Sequence, residues 1–328
     1  MSRGAAGFIL EAILAGKIVV VGSLVYDLIV WLPYFPRRGE TLLASEFKMY
    51  AGGKGFNQAV AAKRCGAQVS MVGKVGADQF GDEFMRIMDM EGINHSFVSQ
   101  DASTATSLGI PMIDPQGDNR IIGVPRANTC MTVAAVEAAE HMVVQHDMLL
   151  IQLEIPLEAS LHAARIAHAA GKVVIFNPAP AIYPLSTLLQ KDGDGNPLVD
   201  WLIPNEVEAE MLSGMPVKDP DEAVIAGKFI LSRGIAIGVV ITMGRRGVVA
   251  VTRDDQYHIP VFPVNSVDPT GAGDAFCGSF ATALSEGQAI PQALRFASAA
   301  GALSVTIAGA EPSLPRREAV EALLAEND

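Results

Sequence analysis

Val267-Asp-Pro-Thr-Gly-Ala-Gly-Asp274 closes an extended segment with small residues and leads into a helix that begins near Ala275. Glycine and alanine let the backbone turn tightly. They leave the amides of Gly271, Ala272 and Gly273 at a helix N-terminus, where partial positive charge gathers and an anion is stabilised. The carboxylate in the same turn, Asp274, has two readings. It is either a cap on the helix or a base beside a bound phosphate, accepting a proton from an attacking hydroxyl. The turn alone supports both equally.

Outward from this turn, short apolar runs alternate with helical patterns. Buried strands are expected at 18–21, 69–72, 148–153, 173–176, 201–203, 239–241 and 248–251, with helices at 55–65, 79–90, 156–170, 221–232, 273–285 and 291–305. Such alternation predicts an α/β fold, a mostly parallel central sheet covered by helices on both faces. The stretches 28–50 and 106–124 break the pattern: they are rich in extended-type residues and punctuated by Pro and Gly. They are expected to form a small separate β-sheet, a lid at the edge of the core that excludes water from a site. Residues 1–16 read as an N-terminal extension, its apolar stretch too short and too interrupted by Glu11 for a signal peptide, and 17–328 as a single domain that includes the lid.

Composition narrows the function. Half the residues are hydrophobic, yet no apolar stretch approaches the roughly 20 residues a spanning helix needs, so a soluble protein without membrane partners is expected. A formal net charge of −12 argues against nucleic acid as a partner. Cys65, Cys130 and Cys277 are odd in number and far apart, which suggests neither a disulfide framework nor a zinc site and fits a reducing cytoplasm. The histidines show no metal-ligand spacing, and Lys191-Asp-Gly-Asp-Gly-Asn-Pro197 lacks the glutamate that would complete a calcium loop, so it reads as a turn.

Polar residues follow the apolar strands: Gly22-Ser23, Gln152 and Glu154, Asn177, Asn205-Glu206, and Thr242 to Gly244. In a parallel sheet these carboxyl ends share one edge, which is where ligands bind. A second glycine cluster, Gly52-Gly-Lys-Gly-Phe-Asn57, also precedes a helix, with Lys54 and Asn57 as donors suited to sugar hydroxyls. No Walker motif occurs, and no strand runs into Gly-x-Gly-x-x-Gly, which disfavours an NAD-dependent oxidoreductase.

Together these segments resemble the ribokinase-like sugar kinases, the phosphofructokinase B family, from Ile18 to Leu324. The matching segments are Gly52-Gly-Lys-Gly-Phe-Asn-Gln-Ala-Val-Ala-Ala62, Gly73-Lys-Val-Gly-Ala-Asp-Gln-Phe-Gly81, Asn177-Pro-Ala-Pro180, Pro204-Asn-Glu-Val-Glu-Ala209, Thr242-Met-Gly-Arg-Arg-Gly247 and Asp268-Pro-Thr-Gly-Ala-Gly-Asp-Ala-Phe276. The resemblance implies a three-layer α/β/α core with a β-sheet lid used for dimerisation, and transfer of phosphate from ATP to a primary sugar hydroxyl with Mg2+. It makes Asp274 the base and Gly271, Ala272 and Gly273 the anion hole. It assigns the sugar to Asp27, Gly53, Lys54, Asn57 and Glu154, and the nucleotide to Asn205, Thr242, Gly244, Gly247 and Ser298. Asn205 and Glu208 would hold Mg2+ through water. Asp268, Thr270, Ser304, Ile307, Gly309 and Ser313 would hold a monovalent cation, expected to be K+.

Three positions depart from the ribokinase pattern. Val25 stands where a sugar-binding asparagine is usual, Phe56 where alanine is common, and Ser298 where histidine often meets the adenine. A hydroxyl facing valine is desolvated without a partner, a cost of roughly 1 to 3 kcal/mol, which favours a sugar lacking that hydroxyl. Tyr26 or a water could instead restore the contact. Ribose is therefore the first expectation and 2-deoxyribose the second. Fructose, a hexose phosphate held by Arg37, Arg38 and Lys48, 2-keto-3-deoxygluconate and nucleosides follow. A non-catalytic sugar-binding module is disfavoured by Asp274, Asn205 and Glu208.

Overall fold

The structure, a computed structural model, describes residues 15–116 and 118–327. Most of the expected extension 1–16 lies outside them. The strands are β1 Lys17–Val21, β2 Val25–Trp31, β3 Glu46–Gly52, β4 Gln68–Gly76, β5 Asn94–Asp101, β6 Ser107–Ile113, β7 Asn119–Val124, β8 Met148–Ile151, β9 Val173–Phe176, β10 Trp201–Leu202, β11 Gly238–Thr242, β12 Val248–Thr252 and β13 Gln256–Ile259.

Nine of them form one sheet in the order β13-β12-β11-β10-β9-β8-β1-β4-β5. It is parallel from β11 to β5, and β12 and β13 run antiparallel at one edge. The run Lys17-Ile-Val-Val-Val21 shows why this sheet is covered on both faces. Side chains alternate along a strand, and Ile18 and Val20 join a core with Phe56, Phe84, Phe276 and Phe280, whereas Val19 and Val21 join another with Leu149, Leu161, Ala209 and Ala223. The first core is roofed by helices Lys54–Arg64, Gln79–Glu91, Ala272–Ser285 and Ile290–Ser304, and the second by Leu157–Ala169, Glu206–Ser213 and Pro220–Ser232. These are the three expected layers.

From β1 the chain passes to β4 on one side and only later to β8 on the other, so strand order reverses beside β1. Residues beyond the carboxyl ends of β1, β8, β9 and β10 therefore border one crevice.

Two strands were not foreshadowed by apolar runs. In β5 only Val98 is buried, and β13 alternates exposed and half-buried residues, because both are edge strands with a single covered face.

A second sheet, ordered β3-β2-β6-β7, has a parallel central pair, β2 with β6, and antiparallel outer pairs. It begins at Val25, three residues before the stretch read from sequence, and residues 32–45 carry no strand, so the expected 28–50 is two strands around a loop.

Candidate active site

The chain after β1 and the start of helix Lys54–Arg64 meet at van der Waals distance. The Phe56 amide donates to the Ser23 carbonyl at 2.9 Å, and the Gly55 amide to Ser23 Oγ at 3.2 Å. Gly53 has φ of 91°, and a Cβ there would lie 2.6 Å from the Val25 nitrogen, so both backbone conformation and space demand glycine. Across the crevice, Glu154 Oε2 accepts from Ser23 Oγ at 2.6 Å and from the Lys54 amide at 2.9 Å. That pair of bonds ties the end of β8 to the glycine cluster.

Asp274 lies in the first turn of helix Ala272–Ser285 and is only 7% exposed. Its Oδ2 accepts from Asn57 Nδ2 at 2.9 Å and its Oδ1 from Gln58 Nε2 at 3.1 Å. Gln58 also donates to Asn177 Oδ1 at 3.2 Å and accepts from Gln152 Nε2 at 2.7 Å. Gln152, Asn177 and Glu154, read from sequence as polar strand ends, are thus brought together. Gln58 was not singled out; its signal was a polar residue beside Asn57 on a helix face that turns out fully buried. Burial lifts the Asp274 carboxyl above its ordinary range, against the pull of Lys54 and the two amide donors, with Glu154 adding to the rise. Burial alone would lower the Lys54 ammonium, but Asp274, Glu154 and Glu208 hold it above its usual value. Asp274 and Lys54 thus carry opposite charges in one buried site, each opposing the effect of burial on the other.

Asp27 comes from the second sheet. Its carboxylate sits between two glycines: a Cβ on Gly52 would lie 2.6 Å from Oδ2, and one on Gly109 2.2 Å from Oδ1. Burial, then the charges of Glu154 and Asp274, push its carboxyl up to about 7. Val25, two residues earlier in β2, shares its face; Tyr26 takes the opposite one, its ring packed 4.6 Å from that of Phe80 and 5.9 Å from that of Phe84. Tyr26 therefore does not replace the missing asparagine.

Phe56 is fully buried, edge-on to Phe84 at 4.9 Å in the core, so its departure from alanine bears on packing. Phe56→Leu should lower stability by about 1 to 2 kcal/mol in urea titration while leaving sugar preference unchanged. Lys48 pairs with Glu46 at 2.9 Å and lies 5.3 Å over the Trp31 ring, so its charge is already engaged.

At the amide cluster, Gly271 caps the helix with φ of 83°. The Ala272 amide donates to the Pro269 carbonyl at 3.3 Å, while among the described residues the Gly271 and Gly273 amides have no acceptor. Asn205 and Glu208 form a reciprocal capping box: the Glu208 amide donates to Asn205 Oδ1 at 2.8 Å and the Asn205 amide to Glu208 Oε2 at 2.9 Å. Burial raises the Glu208 carboxyl, and the Asn205 amide and Lys54 oppose the rise. Thr242 bridges to Asn205 at the end of β11. Gly244 is exposed with open space around it, whereas a Cβ on Gly247 would meet the Ile259 carbonyl at 2.1 Å. Ser298, on helix Ile290–Ser304, has a buried Oγ without a partner among the described residues.

Asp268 ties two segments together. Its Oδ1 accepts from the Thr270 amide at 2.9 Å and Thr270 Oγ1 at 2.6 Å, and its Oδ2 from the Gly309 amide at 2.9 Å. Ser304, Ile307 and Ser313 lie along that second segment, and Tyr50 of β3 packs against Gly309.

The family described as pfkB family carbohydrate kinase matches residues 15–317. Ribokinase of Haemophilus influenzae is 38% identical over 301 residues, covering 92% of this chain and 96% of that protein. Deoxyribokinase of Salmonella typhimurium is 35% identical over 311 residues, covering 95% and 99%. Among solved structures, Arabidopsis thaliana ribokinase complexed with ribose and ATP superposes with a TM-score of 0.87 at 31% identity, covering 95% of this chain and 99% of that one. Ribokinase from Thermotoga maritima does so with 0.83 at 35% identity, covering 94% and 99%.

Proposed function

The chain belongs to the pfkB family of carbohydrate kinases, and from that premise we propose that this sugar kinase phosphorylates a primary hydroxyl of a pentose, ribose first, with Asp274 as the base. The observation that carries the reading is the buried Asp274 carboxylate. It is held by Asn57 and Gln58 at a helix N-terminus whose Gly271 and Gly273 amides have no acceptor among the described residues. A hydroxyl positioned by Asp27, Lys54, Asn57, Glu154 and the Gly53 backbone gives its proton to Asp274. The open amides take up the charge that develops on the transferring phosphoryl group.

The nucleotide would lie along Thr242, Gly244 and Gly247, with Ser298, whose Oγ lacks a partner, at its base. Glu208 and Asn205 suit Mg2+ held through water: the capping box uses one carboxylate oxygen of Glu208 and leaves the other for the ion's hydration shell. The ion's contribution would be to neutralise phosphate charge. Asp268 draws Thr270 and Gly309 together, and the carbonyls of Ser304, Ile307, Gly309 and Ser313 would supply hard oxygens to K+. Activity in K+ should exceed that in Na+ by about 10-fold in a coupled ADP-release assay; equal rates would remove this cation site.

The second sheet would act as the lid of a single kinase domain. Its outer strands expose Phe47, Met49, Ile121 and Ile122, a surface that suits a homodimer. No helix among the described residues is long and apolar enough to cross a membrane; with three unpaired cysteines, we place the protein in the cytoplasm.

Val25 favours 2-deoxyribose as the second reading, since it lines the face of β2 that carries Asp27 and offers no hydrogen bond. ADP release measured across ribose, 2-deoxyribose, fructose, fructose phosphates, 2-keto-3-deoxygluconate and nucleosides tests the assignment. A non-pentose with the highest kcat/KM would overturn it.

A further inference from the structure

We propose that Gln58 is a positioning residue for the base, holding Asp274 Oδ1 permanently so that Oδ2 is the oxygen that takes the hydroxyl proton. The proposal rests on the reading of Asp274 as the base. Gln58 is fully buried, both N–H donors of its amide are used and its oxygen accepts one bond. Nε2 donates to Asp274 Oδ1 at 3.1 Å and to Asn177 Oδ1 at 3.2 Å, and Oε1 accepts from Gln152 Nε2 at 2.7 Å.

The sense of this chain is set by the backbone. The Ile203 carbonyl, just beyond β10, can only accept, and Asn177 Nδ2 donates to it at 2.7 Å. Asn177 must therefore present its oxygen to Gln58, and Gln58 its nitrogen to Asn177 and Asp274. Reversing the Gln58 amide would set its oxygen against two acceptors and its nitrogen against the Gln152 nitrogen. No such lock acts on Asn57. Its Nδ2 reaches Asp274 Oδ2 at 2.9 Å, but its buried Oδ1 has no partner among the described residues, so it can exchange Asp274 for a sugar hydroxyl. One carboxylate oxygen is thus bound to fixed scaffold, and the other faces a donor that substrate can displace.

The field around Asp274 makes the Gln58 bond consequential. Lys54 attracts the carboxylate, while Glu154, Asp27 and Glu208 are like charges, and Cys277 lies one turn further along the same helix. Burial already pushes the carboxyl upward, and the Gln58 donor opposes that push. Removing it raises the pH at which Asp274 becomes ionised.

The test is Gln58→Met, which keeps length and apolar bulk while deleting both donors, alongside Gln152→Met, which removes the bond that anchors the Gln58 oxygen and so loosens the side chain. In Gln58→Met the ascending limb of kcat against pH should move up by about one unit, with kcat at neutral pH down about 10- to 100-fold. The sugar KM should stay within about 3-fold. Gln152→Met should show the same displacement to a smaller extent. A limb that does not move in folded Gln58→Met, or in Gln152→Met where the first variant does not fold, overturns the proposal and leaves Gln58 a packing residue. Asp274→Asn measured in parallel separates the two claims: wild-type turnover there would remove the base itself.

Discussion

Asp274→Asn should lower kcat by about 10³-fold or more while sugar affinity, measured by calorimetry, stays within a few fold. The asparagine is nearly isosteric, so the Asn57 and Gln58 side chains keep a neighbour of the same shape. What is lost is the proton acceptor 2.9 Å from Asn57, and the Gly271 and Gly273 amides cannot replace it because they only donate. Residual turnover would come from those amides and from positioning alone. The wild-type pH profile carries a companion expectation. Burial raises the Asp274 carboxyl, so kcat should begin to fall on the acid side above the ordinary carboxylate range, and the variant should lack that limb. Wild-type rates in the variant would sink the mechanism.

Val25→Asn should shift the ratio of kcat/KM for ribose over 2-deoxyribose upward by about 10- to 100-fold. Val25 sits opposite Gly52 and Ser107 on the face of β2 that carries Asp27, and Tyr26 is turned away into the core, so the strand offers no other donor there. An asparagine supplies a partner for a hydroxyl that valine desolvates, a difference of about 1 to 3 kcal/mol. Val25 is half-buried, so stability should change little. An unchanged ratio would show that the discriminating hydroxyl is bound elsewhere, and Asp27 between Gly52 and Gly109 would be the next position to vary.

The sheet and the helix N-terminus that carries Asp274 were legible from local pattern. Apolar runs such as 173–176 coincide with β9 because a strand enclosed by parallel neighbours has no solvent face to encode, and the small-residue turn before Asp274 forms a helix N-terminus as its composition requires. The edge strands β5 and β13 escaped because half of each faces solvent and their apolar signal is diluted.

What the linear pattern could not contain was direction. Phe56 and Asn57 are adjacent in sequence, yet a helix turns successive side chains by about 100°, sending one into the aromatic cluster with Phe84 and the other to Asp274. The bonds of Gln58 to Gln152, Asn177 and Asp274 span 94, 119 and 216 positions, separations over which no periodicity persists. The sequence by itself determined the class of this chain, a sugar kinase, since the family's segments lie in residue types and short spacings. Only the tertiary structure decided which donor meets each oxygen of Asp274, which amide of the turn is already spent, and that Val25 shares a face with Asp27 while Phe56 lies in the core. Those depend on the relative orientation of elements that meet only when the two cores close around one sheet.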